Sequence, residues 1–233
     1  MRLTKPLLAE FLGTFALIFI GAGAVIVLAP NETVAVALAH GFVIMSFAYA
    51  FGNESGSYVN PALVVASVVA GEHSPLDAVP VIIAQLLGGI AGAFLLVAIY
   101  GHGAPHHLGA TSIDLSRTTL LGGFLLEAVG TFFLASIVLN TAVRGTAGPF
   151  APFAIGMTVA LCIMSFGAVT GGSLNPARTL GPALATGDFA EVGLYVVAQL
   201  GGAIVAGLLY RLVWKDTKAD ASASAVPGLP ARS

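Results

Sequence analysis

The sequence predicts an all-α membrane protein with six transmembrane helices and two shorter re-entrant half-helices, arranged as an inverted repeat. Three observations lead to this fold class: the composition, the lengths of the apolar segments, and short motifs that recur at a nearly constant spacing. Of the 233 residues, 57% are hydrophobic and 9% are charged, whereas a soluble domain carries about 25% charged residues. Lipid is therefore expected to surround most of this chain.

Six apolar segments are long enough to cross a hydrocarbon core about 30 Å thick, which needs about 20 helical residues. Two further apolar segments, about 60–70 and 175–185, begin at Asn-Pro and are too short to span. The first long segment follows basic residues, as a signal peptide would, but its length favours a retained helix. The six long segments lie near residues 7–29, 33–52, 78–100, 119–141, 150–168 and 191–213.

Two short motifs of the first half recur in the second half. Glu10 begins Glu-Phe-Leu-Gly-Thr-Phe, and Glu127, 117 residues later, begins Glu-Ala-Val-Gly-Thr-Phe. Asn60 and Asn175 each begin Asn-Pro-Ala, 115 residues apart. Each half contains three spans, an odd number, so the two halves must enter the membrane from opposite sides. Proteins with such inverted repeats carry their site where the halves meet near the midplane.

The repeat divides one integral membrane domain into two halves. Residues 1–113 hold three spans and the half-helix that begins at Asn60, and residues 114–214 hold three spans and the half-helix that begins at Asn175. Residues 215–233 show no apolar periodicity, and we expect them to form a disordered cytoplasmic tail.

The distribution of basic residues predicts the orientation, because loops rich in Lys and Arg stay in the cytoplasm. An even number of spans places both termini on one side. Arg117 is the basic residue expected on the other side, and Arg178 lies beside the second Asn-Pro. Both termini are therefore expected in the cytoplasm, and the short termini and loops favour a plasma membrane. The basic residues expected on the cytoplasmic side are Arg2, Lys5, Arg144, Arg211, Lys215, Lys218 and Arg232.

The composition argues against several other classes of function. The formal net charge is −2 and no run of Lys or Arg could bind a phosphate backbone, so nucleic acid is not an expected partner. The single cysteine, Cys162, cannot form an intrachain disulfide or a cysteine metal site. The sequence lacks a paired nucleophile and base, a metal-ligand cluster and a phosphate loop. We therefore expect neither an enzyme nor a bound cofactor or metal.

A secondary transporter is the main alternative from another class, because inverted repeats and broken helices occur there too. A transporter coupled to an ion gradient usually needs a carboxylate at its substrate site. Here the groups expected at the midplane are the neutral Asn60 and Asn175, and Arg178 is the charge nearby. A passive channel is the favoured interpretation.

Each Asn-Pro-Ala is a helix start by its local chemistry. Asn is a favoured N-cap, and Pro is favoured at the first helical position, where its missing N–H costs nothing. Irregular backbone at membrane depth is tolerated only where protein covers it or it lines a wet cavity. We therefore expect two half-helices whose N-termini meet at the midplane, where their dipoles oppose cations. The Asn60 and Asn175 amides would bind the oxygen of a passing water and interrupt a continuous proton wire.

The two loops that contain these motifs resemble the signature loops of the major intrinsic protein (aquaporin) family. Residues 55–62 read Ser-Gly-Ser-Tyr-Val-Asn-Pro-Ala, and residues 171–178 read Gly-Gly-Ser-Leu-Asn-Pro-Ala-Arg. The motif residues are Asn60, Pro61, Ala62, Asn175, Pro176 and Ala177. The resemblance covers roughly residues 7–213 and implies the hourglass fold, a homotetramer and one water pore per subunit. The chain departs from the family at Tyr58, where most members have His.

The selectivity filter follows from Arg178 and from the resemblance. An arginine at membrane depth is costly and is a functional candidate by default, and the family places this residue in its narrow extracellular filter. Counted from the two asparagines, the family's other filter positions fall on His40, Ile163 and Gly172. This set resembles the ammonia-permeable members of the plant tonoplast intrinsic branch. A buried structural role is the alternative for His40.

The side chains in this set predict a wider constriction than in a strict water pore. Ile163 removes a donor opposite Arg178, Gly172 removes bulk, and His40 keeps a group that can donate or accept a hydrogen bond. We therefore expect a channel for water and for ammonia or other small uncharged solutes, excluding protons and ions. The alternative within this class is a water channel with glycerol or urea leakage, although the filter offers no aromatic wall for glycerol.

Two further pairs of residues complete the candidate site. Glu10 and Glu127 lie within spans, where a charge needs partners, and we expect them to support the re-entrant loops by accepting backbone N–H groups. His106 and His107 follow the third span, where the ammonia-permeable branch has a His, and could extend the filter outward. A solvated loop is the preferred alternative for these two histidines.

Overall fold

A computed structural model describes residues 4–215 of the chain, and in that range the regular secondary structure is helical, without strands. Arg2, Lys218, Arg232 and the predicted disordered tail beyond Lys215 lie outside the described residues. In chain order the helices of residues 4–215 are α1 (Thr4–Leu28), α2 (Thr33–Ser55), α3 (Pro61–Ala70), α4 (Pro75–Tyr100), α5 (Leu120–Val143), α6 (Gly148–Thr170), α7 (Pro176–Thr186) and α8 (Val192–Trp214).

The predicted fold class is confirmed. Six helices in the described range are long and apolar enough to cross a membrane, with mean hydropathy between 1.9 and 2.5. The short helices α3 and α7 have 10 and 11 residues, about half of what a span requires. The helix boundaries fall within a few residues of the apolar segments, because each segment ends where polar or Gly residues interrupt it.

The two half-helices begin as their local chemistry predicts. The Asn60 side chain accepts a hydrogen bond from the Ala62 amide at 2.9 Å, and the Asn175 side chain accepts one from the Ala177 amide at 2.9 Å. In each helix the proline at the first position needs no acceptor for its nitrogen. Both helices end at a glycine with left-handed backbone, which is a common helix stop.

Close backbone contact between α2 and α6 brings opposite halves of the chain together. A Cβ atom on Gly41 would lie 2.5 Å from the Gly156 carbonyl oxygen, and a Cβ on Gly156 would lie 2.5 Å from the Gly41 carbonyl oxygen. Only glycine permits this approach, and small residues at helix crossings are typical of membrane proteins. The crossing fixes the height of the neighbouring His40 relative to α6.

The fold places polar groups inside and apolar groups outside. Glu10, Gln85, Glu127 and Gln199 are all fully buried. Large apolar side chains are exposed on the outer faces of the spans, among them Leu125, Phe133, Val197 and Leu212. Because lipid rather than water surrounds such a surface, the exposed apolar faces carry no penalty.

Candidate functional site

The two half-helices meet with their N-termini facing each other. The Asn60 Nδ2 donates to the Leu174 carbonyl at 2.8 Å, and the Asn175 Nδ2 donates to the Val59 carbonyl at 2.8 Å. Each asparagine therefore caps its own helix with its oxygen and binds the opposite loop with its nitrogen. An amide nitrogen carries two hydrogens, so each asparagine keeps one donor beyond this cross-link.

The loops that lead into the half-helices have unusual backbone at matching positions. The residue before each asparagine lies in the left-handed region, with φ of 52° at Val59 and 55° at Leu174. Two residues earlier, Ser57 and Gly172 have φ of 48° and 57°. A β-branched residue such as Val59 strongly disfavours this region, so surrounding contacts must hold the loop. Such strain is concentrated at functional sites.

Glu10 provides those contacts for the first loop. Its Oε1 accepts hydrogen bonds from the Ser55 hydroxyl at 2.7 Å and the Tyr58 amide at 2.9 Å. Its Oε2 accepts from the Val59 amide at 2.7 Å and from Gln85 Nε2 at 2.7 Å. Backbone N–H groups can only donate, so the two carboxylate oxygens act as acceptors towards the loop. The burial of this carboxylate is compensated by hydrogen bonds from the loop that it holds.

Glu127 makes the equivalent contacts with the second loop. Its Oε1 accepts from the Thr170 hydroxyl at 2.7 Å and the Ser173 amide at 2.9 Å. Its Oε2 accepts from the Leu174 amide at 2.8 Å and from Gln199 Nε2 at 3.1 Å. Two backbone amides, one hydroxyl and one glutamine therefore donate to each carboxylate.

A cavity lies at the junction of the half-helices, between α1, α2, α5 and α6. Its apolar lining consists of branched aliphatic side chains of these helices and of α3, and its polar lining consists of the two asparagines, the second loop and three larger side chains. The aliphatic residues are Leu17, Ile44, Leu63, Leu134, Ile155 and Val159, and the larger polar side chains are His40, Tyr58 and Arg178.

The predicted filter residues do not all border this cavity. His40, Gly172 and Arg178 line it, and all are buried. Ile163 is buried but is not among its lining residues. It lies behind the second loop, where its Cγ1 would be 2.9 Å from a Cβ on Gly172. In this structure Gly172 therefore lies against Ile163 and is the member of that pair that borders the cavity.

His40 is held at one ring nitrogen and unpaired at the other. Its Nδ1 lies 2.9 Å from the Val36 carbonyl oxygen, one helical turn earlier. That contact requires a hydrogen on Nδ1, so Nε2 of the neutral ring is an acceptor. Within residues 4–215, Nε2 is buried and has no hydrogen-bond partner.

Arg178 is held by the loop between α4 and α5. Its Nη1 donates to the Gly109 carbonyl at 2.7 Å, while its buried Nε–H has no partner among the described residues. Residues 106–109 all have positive φ, between 49° and 72°, and this left-handed turn presents the Gly109 carbonyl. His106 and His107 belong to the turn, but both are exposed and lie outside the cavity.

Tyr58 borders the cavity on the side of α3. Its hydroxyl lies 2.9 Å from Ser67 Oγ, and its ring meets His73 edge-on with 5.9 Å between centroids. The phenol thus fills the space beside the first half-helix and has its polar end paired with α3.

Three of the supporting groups were not singled out from the sequence. The Ser55 and Thr170 hydroxyls, 115 residues apart, precede their asparagines by five residues each, so the repeat could have identified them. No sequence pattern identifies the Gly109 carbonyl as a partner of Arg178, because any residue offers a backbone carbonyl.

Comparison with known proteins decides the family. A family model described as Major intrinsic protein matches residues 1–224. The chain belongs to this family. Within it, the chain is similar to a probable aquaporin TIP2-2 of Oryza sativa subsp. japonica, with 38% identity over 90% of this chain and 87% of the relative. The similarity to the named TIP2 aquaporins agrees with the tonoplast-like filter expected from the sequence.

Relatives from prokaryotes are equally similar. Aquaporin AqpM of Methanothermobacter marburgensis is 38% identical over 93% of this chain and all of the relative. Glycerol uptake facilitator protein-like 6 of Lactiplantibacillus plantarum is 38% identical over 91% of this chain and 99% of the relative. The X-ray structure of the aquaglyceroporin from Plasmodium falciparum matches with a TM-score of 0.78 and 25% identity, covering 90% of this chain and 96% of that chain.

Family membership fixes the class of function. Members of the major intrinsic protein family are membrane channels rather than enzymes. The chain is a multi-pass membrane protein and a passive channel for water and small solutes.

Proposed function

We propose that this channel conducts ammonia as well as water and excludes protons and ions. The observation that carries the proposal is the composition of the cavity wall near Arg178. His40 and Arg178 offer polar groups there, Gly172 adds no side chain, and the other large side chains that line the cavity are mostly aliphatic. Tyr58, on the α3 side, is the one Phe, Tyr or Trp among the lining residues.

The hydrogen-bonding capacity of this wall suits ammonia. The Arg178 guanidinium can only donate, and the free His40 Nε2 accepts. Ammonia has one lone pair and three N–H groups, so it can accept from Arg178 while donating to His40. Water can make the same two contacts. An ammonium ion has no lone pair for Arg178 and is repelled by its charge.

The junction supports the exclusion of cations and of proton transfer. Two helix N-termini face the cavity, each equivalent to roughly half a positive charge. The remaining N–H of Asn60 and of Asn175 would bind a water through its oxygen, and that orientation breaks a chain of proton-donating waters. Glu10 and Glu127 keep both asparagines in place through the loop backbones.

A second candidate function is leakage of glycerol or urea. It is favoured by the similarity to a protein named as a glycerol uptake facilitator and to one named as an aquaglyceroporin. The cavity lining argues for ammonia instead, because within residues 4–215 it includes no Phe or Trp that could pack against the carbon chain of glycerol.

The assembly and placement that we propose are a homotetramer in a plasma membrane with both termini in the cytoplasm. The exposed apolar faces of the spans offer surface for subunit contacts. Lys5, Arg144, Arg211 and Lys215 would then lie on the cytoplasmic side, and Arg117 on the outside.

The proposal is tested in proteoliposomes that contain an entrapped pH dye, with ammonia influx and osmotic water flux recorded from the same vesicles. We expect both fluxes to exceed those of protein-free vesicles. His40→Ile should lower ammonia flux about fivefold, the effect of losing one hydrogen bond worth about 1 kcal/mol. Ile155→Val, a small change in the aliphatic lining, is the matched control and should leave ammonia flux unchanged.

Two results would contradict the proposal. Water flux without protein-dependent ammonia flux would mean that the filter is tighter than its residues suggest. Glycerol or urea flux that exceeds ammonia flux would favour the second candidate.

A further inference from the structure

We propose that Gly21 of α1 is a positioning residue that sets the width of the filter, because its missing side chain leaves room for the His40 ring between α1 and the cavity. This inference deepens the proposed function, since it rests on His40 bordering the route of the solute.

The contact between the two residues is very close. A Cβ atom on Gly21 would lie 2.6 Å from both Cδ2 and Nε2 of His40 and 3.0 Å from Cε1. Carbon atoms do not approach ring atoms to 2.6 Å without displacement, because optimal contacts lie near 3.5–4.0 Å. The edge of the imidazole therefore fills the space that any other residue at position 21 would occupy.

The face of α1 that carries Gly21 is turned to the cavity. Leu17, four residues earlier and so on the same face, is among the cavity-lining residues. Both residues lie in the segment Leu17–Ala22, where α1 changes to π-helical hydrogen bonding. Such π-bulges are frequent at functional sites.

The next residue supports the other polar member of the filter. A Cβ on Gly109 would lie 2.7 Å from the Ala22 carbonyl oxygen, so the turn that binds Arg178 lies directly on α1. Gly21 and Ala22 thus contact His40 and the partner of Arg178, respectively. One short segment of α1 determines how far apart these two groups can be.

A methyl group at position 21 would displace His40 toward the cavity. The ring is tied on its far side by the Nδ1 contact with Val36. The backbone of α2 is fixed beside it, since Gly41 touches the Gly156 carbonyl. With α1 on one side and the cavity on the other, the displaced ring narrows the passage or gives up its bond to Val36.

The test compares Gly21→Ala with Gly23→Ala in proteoliposomes, recording water, ammonia and urea flux. Gly23 is the matched control, because its Cβ would meet only Leu96 Cδ2, at the ordinary distance of 3.4 Å. We expect Gly21→Ala to lower the flux of the largest permeant solute relative to water about tenfold, while Gly23→Ala leaves the ratio unchanged; tenfold corresponds to about 1.4 kcal/mol of barrier.

Removing the ring separates a filter effect from a packing defect. In the double variant Gly21→Ala/His40→Ala the methyl group has no imidazole to displace, so flux should return to the level of His40→Ala alone. If Gly21→Ala fails to insert in the membrane, the double variant should still insert and conduct. A double variant as impaired as Gly21→Ala, or a Gly21→Ala variant that behaves like Gly23→Ala, would overturn the inference.

The role of Gly21 can be tested even if the channel does not conduct ammonia. If the unaltered channel passes water but no ammonia, the proposed function fails, and the inference is then decided by water flux alone. That flux should fall in Gly21→Ala and recover in the double variant, and a fall without recovery would refute it.

Discussion

In the two re-entrant loops, Glu10 and Glu127 hold the backbone with the same set of hydrogen bonds: two from loop amides, one from a hydroxyl and one from a glutamine. The side chains that the two halves offer to the cavity differ much more. Several lining positions are related by the repeat and remain similar. These are Leu17 with Leu134, Ile44 with Val159, and Asn60 with Asn175.

Other lining positions carry different residue types in the two halves. With the 115-residue spacing of the two asparagines, His40 corresponds to Ile155, Tyr58 to Ser173, and Leu63 to Arg178. Both large polar groups that bind solute in our proposal therefore have an aliphatic residue at the corresponding position of the other half. In our proposal the symmetric pairs hold the scaffold, whereas the positions at which the two halves differ set the selectivity.

The largest expected effect comes from the symmetric carboxylates. Glu10→Gln and Glu127→Gln each replace an acceptor oxygen with an NH2 group that faces loop amides. We expect each to lower the stability of the detergent-purified protein by about 2–4 kcal/mol, because buried donors are left without an acceptor. Thermal unfolding measures this loss, and water flux should fall with it in both variants.

Glu32→Gln is the control for these variants, because Glu32 is exposed before α2 and should show no loss. If one carboxylate proved dispensable while the other did not, the two halves would not share one scaffold, and the symmetric half of the comparison would fail.

The second largest expected effect is on cation exclusion, and it concerns Arg178, whose repeat-related counterpart is Leu63. Arg178→Leu gives the second half-helix the residue that the first has at Leu63, and it removes a buried positive charge. We expect cation permeability, measured as ionic current or as proton leak in vesicles, to rise more than about tenfold, since a buried charge contributes several kcal/mol to a cation's barrier.

Two companion variants sharpen this prediction. Arg117→Leu removes an exposed arginine that pairs with Asp114 outside the spans, and it should leave the leak unchanged. Arg178→Lys keeps the charge but loses the fixed guanidinium geometry, so cation exclusion should persist. A leak as large in the lysine variant would assign exclusion to the shape of arginine and not to its charge.

Sequence patterns predicted the scaffold better than the filter, for a physical reason. Span limits follow from the length of apolar runs, and half-helix starts follow from Asn-Pro, and both are local properties of the chain. The contacts that place the filter are tertiary: the Nδ1 contact of His40, the Gly109 carbonyl on Arg178, and the contact of Ile163 with Gly172. No local pattern encodes them.

The loop between α4 and α5 shows the same limit. Its histidines are candidates by resemblance to the ammonia-permeable branch, with a solvated loop as the preferred alternative; the left-handed turn of residues 106–109 leaves both exposed and turns a glycine carbonyl to Arg178. That outcome depends on four consecutive backbone conformations that L-residues disfavour. A sequence pattern gives no basis for expecting them.

The smallest expected effect tests whether every pair of repeat-related lining residues that differs between the halves contributes to solute selectivity. Tyr58 differs from its counterpart Ser173, but it lies on the α3 side of the junction, and its hydroxyl is paired with Ser67. Tyr58→Phe keeps the ring and removes that bond, so we expect a stability loss of about 1 kcal/mol and a ratio of ammonia to water flux that is unchanged. Ammonia flux should fall less than in His40→Ile. A larger change of flux in Tyr58→Phe than in His40→Ile would mean that solutes are discriminated beside the first half-helix. The difference between the halves at His40 and Arg178 would then not determine solute selectivity.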